Sequence, residues 1–147
     1  MATDTQIAYA AGFFDGEGYI GICGSQSRGS LCLEIDVTQV DPRPLQFLAE
    51  HFGGKIKQRV RSKYTSTRNS RPSFLWRLHA KDAVMFLELI YPYLIHKRDQ
   101  ADLAFQFQRI RDTNKWRKGN LQKKQEQISI SQSLRDMKKK VVSLVGS

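Results

Sequence analysis

Glu17 is the residue best placed to do chemistry, because of what precedes it. Residues 5–14 are spaced as a helix, with Ile7, Ala10 and Phe14 on one face. Ala8, Ala11, Gly12 and Asp15 share a second face made mostly of small residues. Gly16 and Gly18 are expected to end the helix and turn the chain. If a second copy packs against the small face, two such helices come close and each Glu17 approaches its mate. Close carboxylates repel unless divalent cations lie between them, and that arrangement suits metal-assisted phosphodiester hydrolysis. The plainer alternative is that the small face packs within its own chain.

The elements that must position Glu17 follow from alternation. Ile20 and Ile22 alternate with Tyr19, Gly21 and Cys23, and Leu31, Leu33, Ile35 and Val37 alternate with Cys32, Glu34 and Asp36. With the polar stretch at 25–29 between them, this predicts a β-hairpin with one apolar face. A turn centred between Ser27 and Arg28 sets Ile22 against Leu33, Ile20 against Ile35 and Glu17 against Thr38 beside Gln39. It also sets Cys23 against Cys32, a pair that an oxidising buffer could close into a disulfide.

Asp41 and Pro42 then predict a capped helix carrying Leu45, Phe47, Leu48 and Phe52, closed by Gly53-Gly54. A second hairpin is expected at about 55–62 and 73–79, with Ile56, Phe74, Trp76 and Leu78 inward. Asp82 is read as the cap of a short helix ending at Pro92, and a helix over about 97–112 carries Leu103, Phe107 and Ile110. A basic loop at 113–120 leads to a partly helical tail, about 121–145, with the stripe Leu134, Met137 and Val141. The expected fold is α+β, an αββαββα core with an antiparallel saddle-like sheet, helices on one face, and C-terminal helices. The 147 residues read as one domain, with the core at about 5–112 and the loop and tail at 113–147.

A net charge of +10 with 40% hydrophobic residues suits a globular protein that meets a polyanion, with nucleic acid the leading candidate. No apolar run approaches a membrane span, and the first residues lack a signal or transit pattern. The expectation is therefore an intracellular protein that is not secreted. Two cysteines make neither a disulfide framework nor a four-ligand zinc site, so reduced thiols are expected. The three histidines, His51, His79 and His96, are scattered and read as surface or structural residues, not metal ligands.

Between Glu50 and Asp82 there is no acidic residue, and Lys55, Lys57, Arg59 and Arg61 alternate along one strand face. A basic antiparallel ribbon fits the DNA major groove; an edge strand protected by lysines is the alternative. Arg77, on the neighbouring strand, is expected outward with this row, as a guanine reader alongside Arg59. Tyr19, Ser25 and Arg28 of the first hairpin complete the candidate DNA-contacting set. Glu34 and Asp36 on the same open face either accept from cytosine amino groups or lie near a metal site, and the sequence leaves both readings open.

The segment Ala10-Ala11-Gly12-Phe13-Phe14-Asp15-Gly16-Glu17-Gly18 resembles the motif of the LAGLIDADG homing endonucleases, and the order of helices and hairpins is similar to that family's core. The resemblance implies that Glu17 is a metal ligand at the scissile phosphate and that Asp15 is structural at the helix end. It implies catalytic roles for Gln39, after Val37-Thr38, for Arg43 one helical turn later, and for Lys97 after Pro92-Tyr93-Leu94. Ala10 stands where leucine is usual, and Glu17 replaces an aspartate while remaining a hard oxygen ligand suited to Mg²⁺.

One motif per chain implies a homodimer meeting through Ala8, Ala11, Gly12 and Asp15. The implied activity is Mg²⁺- or Mn²⁺-dependent cutting of both strands of a long pseudo-palindromic DNA site, with no membrane and no small-molecule cofactor involved. An intron-encoded gene in a bacterial, phage or organellar genome is the expected setting. The alternatives are an RNA-binding intron maturase and a non-cutting DNA-binding protein on the same scaffold.

Overall fold

Alternating apolar residues decide the centre of the molecule. In the computed structural model, which describes residues 1–25, 27, 30–59, 71–113 and 121–145, they line the inner face of a four-stranded antiparallel sheet. The elements run α1 (Asp4–Glu17), β1 (Gly18–Ser25), β2 (Ser30–Gln39), α2 (Arg43–Phe52), β3 (Lys55–Arg59), β4 (Ser73–His79), α3 (Ala80–Ile90), a single 3₁₀ turn (Tyr91–Tyr93), α4 (Arg98–Thr113) and α5 (Leu121–Val145). The strand order is β1-β2-β4-β3, so the two hairpins meet along β2 and β4 and leave β1 and β3 at the edges. Arg28, Arg61 and most of the basic loop expected at 113–120 lie outside the described residues.

The first hairpin has the expected register: Ile20 pairs with Ile35, Ile22 with Leu33 and Cys23 with Cys32. The ladder stops at Gly18 and Val37, so Glu17 is the last residue of α1 and does not pair with Thr38. Helix α1 is longer than the apolar spacing suggested. Thr3 and Gln6 form a reciprocal capping box at its start, and the helix runs through Gly16. Gly18 does not end it by a left-handed turn, since its φ is −78°. It is needed for close approach instead, because a Cβ there would sit 2.4 Å from the Phe14 ring.

Phe86 of α3 is the hub of the core. Its ring meets Phe14 at 5.4 Å, Phe52 at 5.1 Å and Trp76 at 5.1 Å, all edge-on. Trp76 is fully buried and satisfies its indole N–H on the Gly53 carbonyl at 2.8 Å. Gly53 and Gly54 do take left-handed φ values, 79° and 88°, as the close of α2 required. Two caps differ from expectation. Asp82 lies inside the first turn of α3, which starts directly after the strand through Ala80 at φ 48°. Asp41 binds the Arg43 backbone N–H from just outside α2. The tail is one continuous helix across 121–145, packed on α4 and touching β1, with Leu134 buried.

Candidate active site and nucleic-acid interface

Helix α1 delivers Asp15 inward and Glu17 outward. The Asp15 carboxylate accepts the backbone N–H groups of Ile95, His96 and Lys97 at 2.8–3.1 Å, holding the segment between the 3₁₀ turn and α4. Burial raises the Asp15 pKa, but the bonds from His96, Lys97 and Ile95, with the Lys97 charge, more than offset it, so the carboxyl stays below its ordinary range. That segment places Lys97, which is 6% exposed, with its ammonium donating to the Asp15 carbonyl at 2.6 Å. Burial pushes the Lys97 pKa down, and the charges of Asp15 and Glu17 act against that shift. Glu17 itself is exposed, with no hydrogen bond or ion pair among the described residues. The structure therefore brings Glu17 and Lys97 together through Asp15.

Gln39 is half-buried at the end of β2, two residues past the Gly18–Val37 pair, and pairs with Phe74 of β4. Arg43 is not part of this group. Its guanidinium forks onto Asp41, and it shares a shallow groove with Tyr9, Pro44 and Phe47. Tyr9 precedes Glu17 by about two helical turns, roughly 12 Å along α1. In this structure the Arg43 guanidinium is engaged by Asp41, whose carboxyl pKa it holds down at about 2.

The small face of α1 is also rearranged. Ala11 is fully buried in the chain's own core and the Asp15 carboxylate is engaged, so neither is free for a second copy. Ala8 is half-buried, and Gly12 and Gly16 are exposed. A Cβ on either glycine would meet nothing within 4 Å. Two helical glycines that this chain does not need for its own packing lie on the outer face, beside the exposed Tyr9.

The open face of the sheet carries the charged rows. Lys55, Lys57 and Arg59 are exposed along the edge strand β3. Lys55 pairs with Arg77 across the ladder, so Arg77 does share their face. Its guanidinium is not free, however. It binds Asp36 at 2.9 Å and Glu34 at 3.3 Å, with Nε buried and unpartnered. This answers the question left open for Glu34 and Asp36: they neutralise Arg77, which makes it a poor candidate for guanine reading. Ser25 bonds the Ser27 hydroxyl at 2.7 Å. Tyr19 is 46% exposed and lies under Lys138, whose ammonium is 3.8 Å from the ring centroid.

Lys138 is the residue that sequence reading passed over. Helix α5 brings it onto β1, where it donates to the Ile20 carbonyl. Burial first, then the Lys97 charge, pushes its pKa down to about 8, with Asp36 opposing. A signal was present, since Lys138 lies four residues after the buried Leu134 and so on the same helical face.

Among the described residues no helix is long and apolar enough to cross a membrane. No protein-family model and no curated protein matches the sequence. Solved structures do match. The archaeal intron-encoded homing endonuclease I-Vdi141I, complexed with DNA, is 16% identical over 91% of this chain and 84% of its own, with a TM-score of 0.74. The homing endonuclease I-CvuI, in complex with its target in the presence of calcium, is 19% identical over 91% of this chain and 82% of its own, with a TM-score of 0.70. The LAGLIDADG homing endonuclease I-GzeII, in complex with its DNA target, is 18% identical over 85% of this chain but only 43% of its own, with a TM-score of 0.67. The four-stranded antiparallel sheet with its covering helices is the fold of the LAGLIDADG homing endonucleases.

Proposed function

We propose that this chain is a member of that family: a site-specific endonuclease that binds double-stranded DNA on the open face of its sheet. In this reading it cuts both strands as a homodimer with a divalent cation, Mg²⁺ or Mn²⁺. The observation that carries the reading is the unpaired Glu17 carboxylate, at the end of a helix with outward glycines and beside the buried Lys97. A single chain offers one free carboxylate there, half of what a shared cation site between two copies would use. Glu17 fits a hard cation, being an exposed oxygen donor with no competing partner among the described residues. I-GzeII, of which this chain matches less than half, is consistent with a working unit larger than one copy.

A divalent cation held by Glu17 would supply charge neutralisation and an acidified water. The chain's own residues do the rest. Lys97 presents a positive charge from a buried, fixed position, preorganised for the charge that builds on the phosphate oxygens. Asp15 locks that position through the backbone of 95–97. Gln39, at the end of β2, orients water through its amide. Lys55 and Lys57 bind the DNA backbone along β3, Arg59 on the same strand reads a guanine edge, and Lys138 adds charge at the opposite edge.

The test is digestion of a large, diverse DNA pool with Mg²⁺, followed by sequencing of all new ends. Recurrent paired ends at a fixed stagger are expected. Tight DNA binding without recurrent ends would replace this reading with a non-cutting DNA-binding protein.

A further inference from the structure

The hairpin register sets two pairs of metal-ligand residues on neighbouring rungs of the open face. Cys23 and Cys32 are direct partners across β1 and β2, and Glu34 and His79 are direct partners across β2 and β4. Cys32 and Glu34 are successive residues on one face of β2, so the four form a compact square over three strands. One ligand atom each from Cys23, Cys32 and His79 lies within 4.8 Å of the others. Glu34 Oε2 is 3.8 Å from His79 Nδ1. The two thiols are free and half-buried.

We propose that Cys23, Cys32 and His79 bind a soft divalent cation of the zinc type. Two sulfurs and an imidazole select such an ion over Mg²⁺, which prefers oxygen. Three protein donors leave the fourth tetrahedral position to water. On binding, both thiol protons leave to solvent and two thiolates form. The two thiolates balance the charge of the ion, and Glu34 stays paired with Arg77 at 3.3 Å, which also holds Asp36 at 2.9 Å. The ligands come from three strands, so the ion would tie β1, β2 and β4 together on the proposed DNA-binding face. No sequence spacing announces this site, because only the β2–β4 pairing brings His79 to the cysteines. The inference does not depend on the nuclease reading, and Glu17 takes no part in it.

The test is titration of the full chain with Co²⁺ under a non-thiol reductant, followed by displacement with Zn²⁺. The expected result is one thiolate-bound ion per chain, with thiolate-to-cobalt charge transfer and the visible bands of tetrahedral cobalt. Zn²⁺ should also protect both thiols from alkylation. His79 is exposed, so His79→Ala should stay folded and weaken binding about 10-fold or more. Cys32→Ser should abolish the two-thiolate spectrum, and Glu17→Gln should leave it unchanged. A spectrum without thiolate bands would overturn the site. So would unchanged binding in His79→Ala, or recovery of Cys23 and Cys32 as a disulfide that takes no metal.

Discussion

Asp15 and Lys97, 82 positions apart, are joined twice: the Asp15 carboxylate accepts the Lys97 backbone N–H at 2.8 Å, and the Lys97 ammonium donates to the Asp15 carbonyl at 2.6 Å. The helix end that presents Glu17 and the segment that presents Lys97 therefore move as one piece. Asp15→Asn should cost about 1–2 kcal/mol of stability, because a charge-assisted acceptor of several backbone N–H groups is replaced by a weaker one. The folded pKa lies below the ordinary 3.8, so the Asp15 contribution is full above that value and is lost as pH falls through the folded pKa. The stability gap between wild type and Asp15→Asn, measured by urea unfolding, should be constant near neutrality and shrink in acid below about pH 4. A gap that widened in acid would contradict the assignment.

Gly12 separates dimer packing from folding. It faces open space in one chain, so Gly12→Ala should stabilise the monomer by about 0.5–1 kcal/mol through helix propensity. Gly12→Leu should then give a folded monomer at concentrations where wild type sediments as a dimer. Ala11→Leu should behave differently and unfold the chain by overpacking, because Ala11 is fully buried. An intact Gly12→Leu dimer would place the contact elsewhere.

Lys138 should reveal itself through pH. Its folded pKa, about 8, lies below the ordinary 10.5, so the unfolded chain binds more protons between those values. Stability attributable to this group therefore rises as pH climbs through that window. Lys138→Met removes that part of the rise, and chemical unfolding of both proteins at about pH 7.5 and about pH 10.5, roughly the two ends of that window, measures it. Parallel profiles would mean that the amine is solvated.

Arg77 and the β3 row should differ in kind. Alanine at Lys55 or Lys57 should leave stability unchanged and reduce the salt slope of DNA binding by about 1 each, and alanine at Arg59 should relax preference at one base position. Arg77→Ala should instead destabilise the fold, by about 1–3 kcal/mol, because Glu34 and Asp36 lose their shared cation. If Arg77→Ala folds normally and relaxes preference at one base position, Arg77 is a reader after all.

The sheet was legible because period-two alternation states which side chains face inward, and apolar agreement across Ile20–Ile35 and Ile22–Leu33 admits one register. That Glu17 and Lys97 come near one another was suggested by the resemblance of the surrounding segments to a known motif, while their roles belong to the proposal. Charge pairing was not. Arg77 looks like one more cation in a basic row, and only the β2–β4 register reveals that Asp36 and Glu34 lie against it. The face of α1 was misassigned at Ala11 because small residues fit both a tight core and a tight interface, and spacing does not distinguish them. The inward lysine of α5 was hidden by its charge, since lysines are usually read as solvated.

In the proposed function Glu17 serves cutting and not binding. Once paired ends from the diverse pool have given a target, Glu17→Gln is compared with wild type for affinity to that target and for cleavage with Mg²⁺. An amide is a poor ligand for a hard cation. The expected result is wild-type affinity within about threefold, under about 1 kcal/mol, and no detectable cleavage of either strand. Cleavage by Glu17→Gln at near the wild-type rate would contradict it.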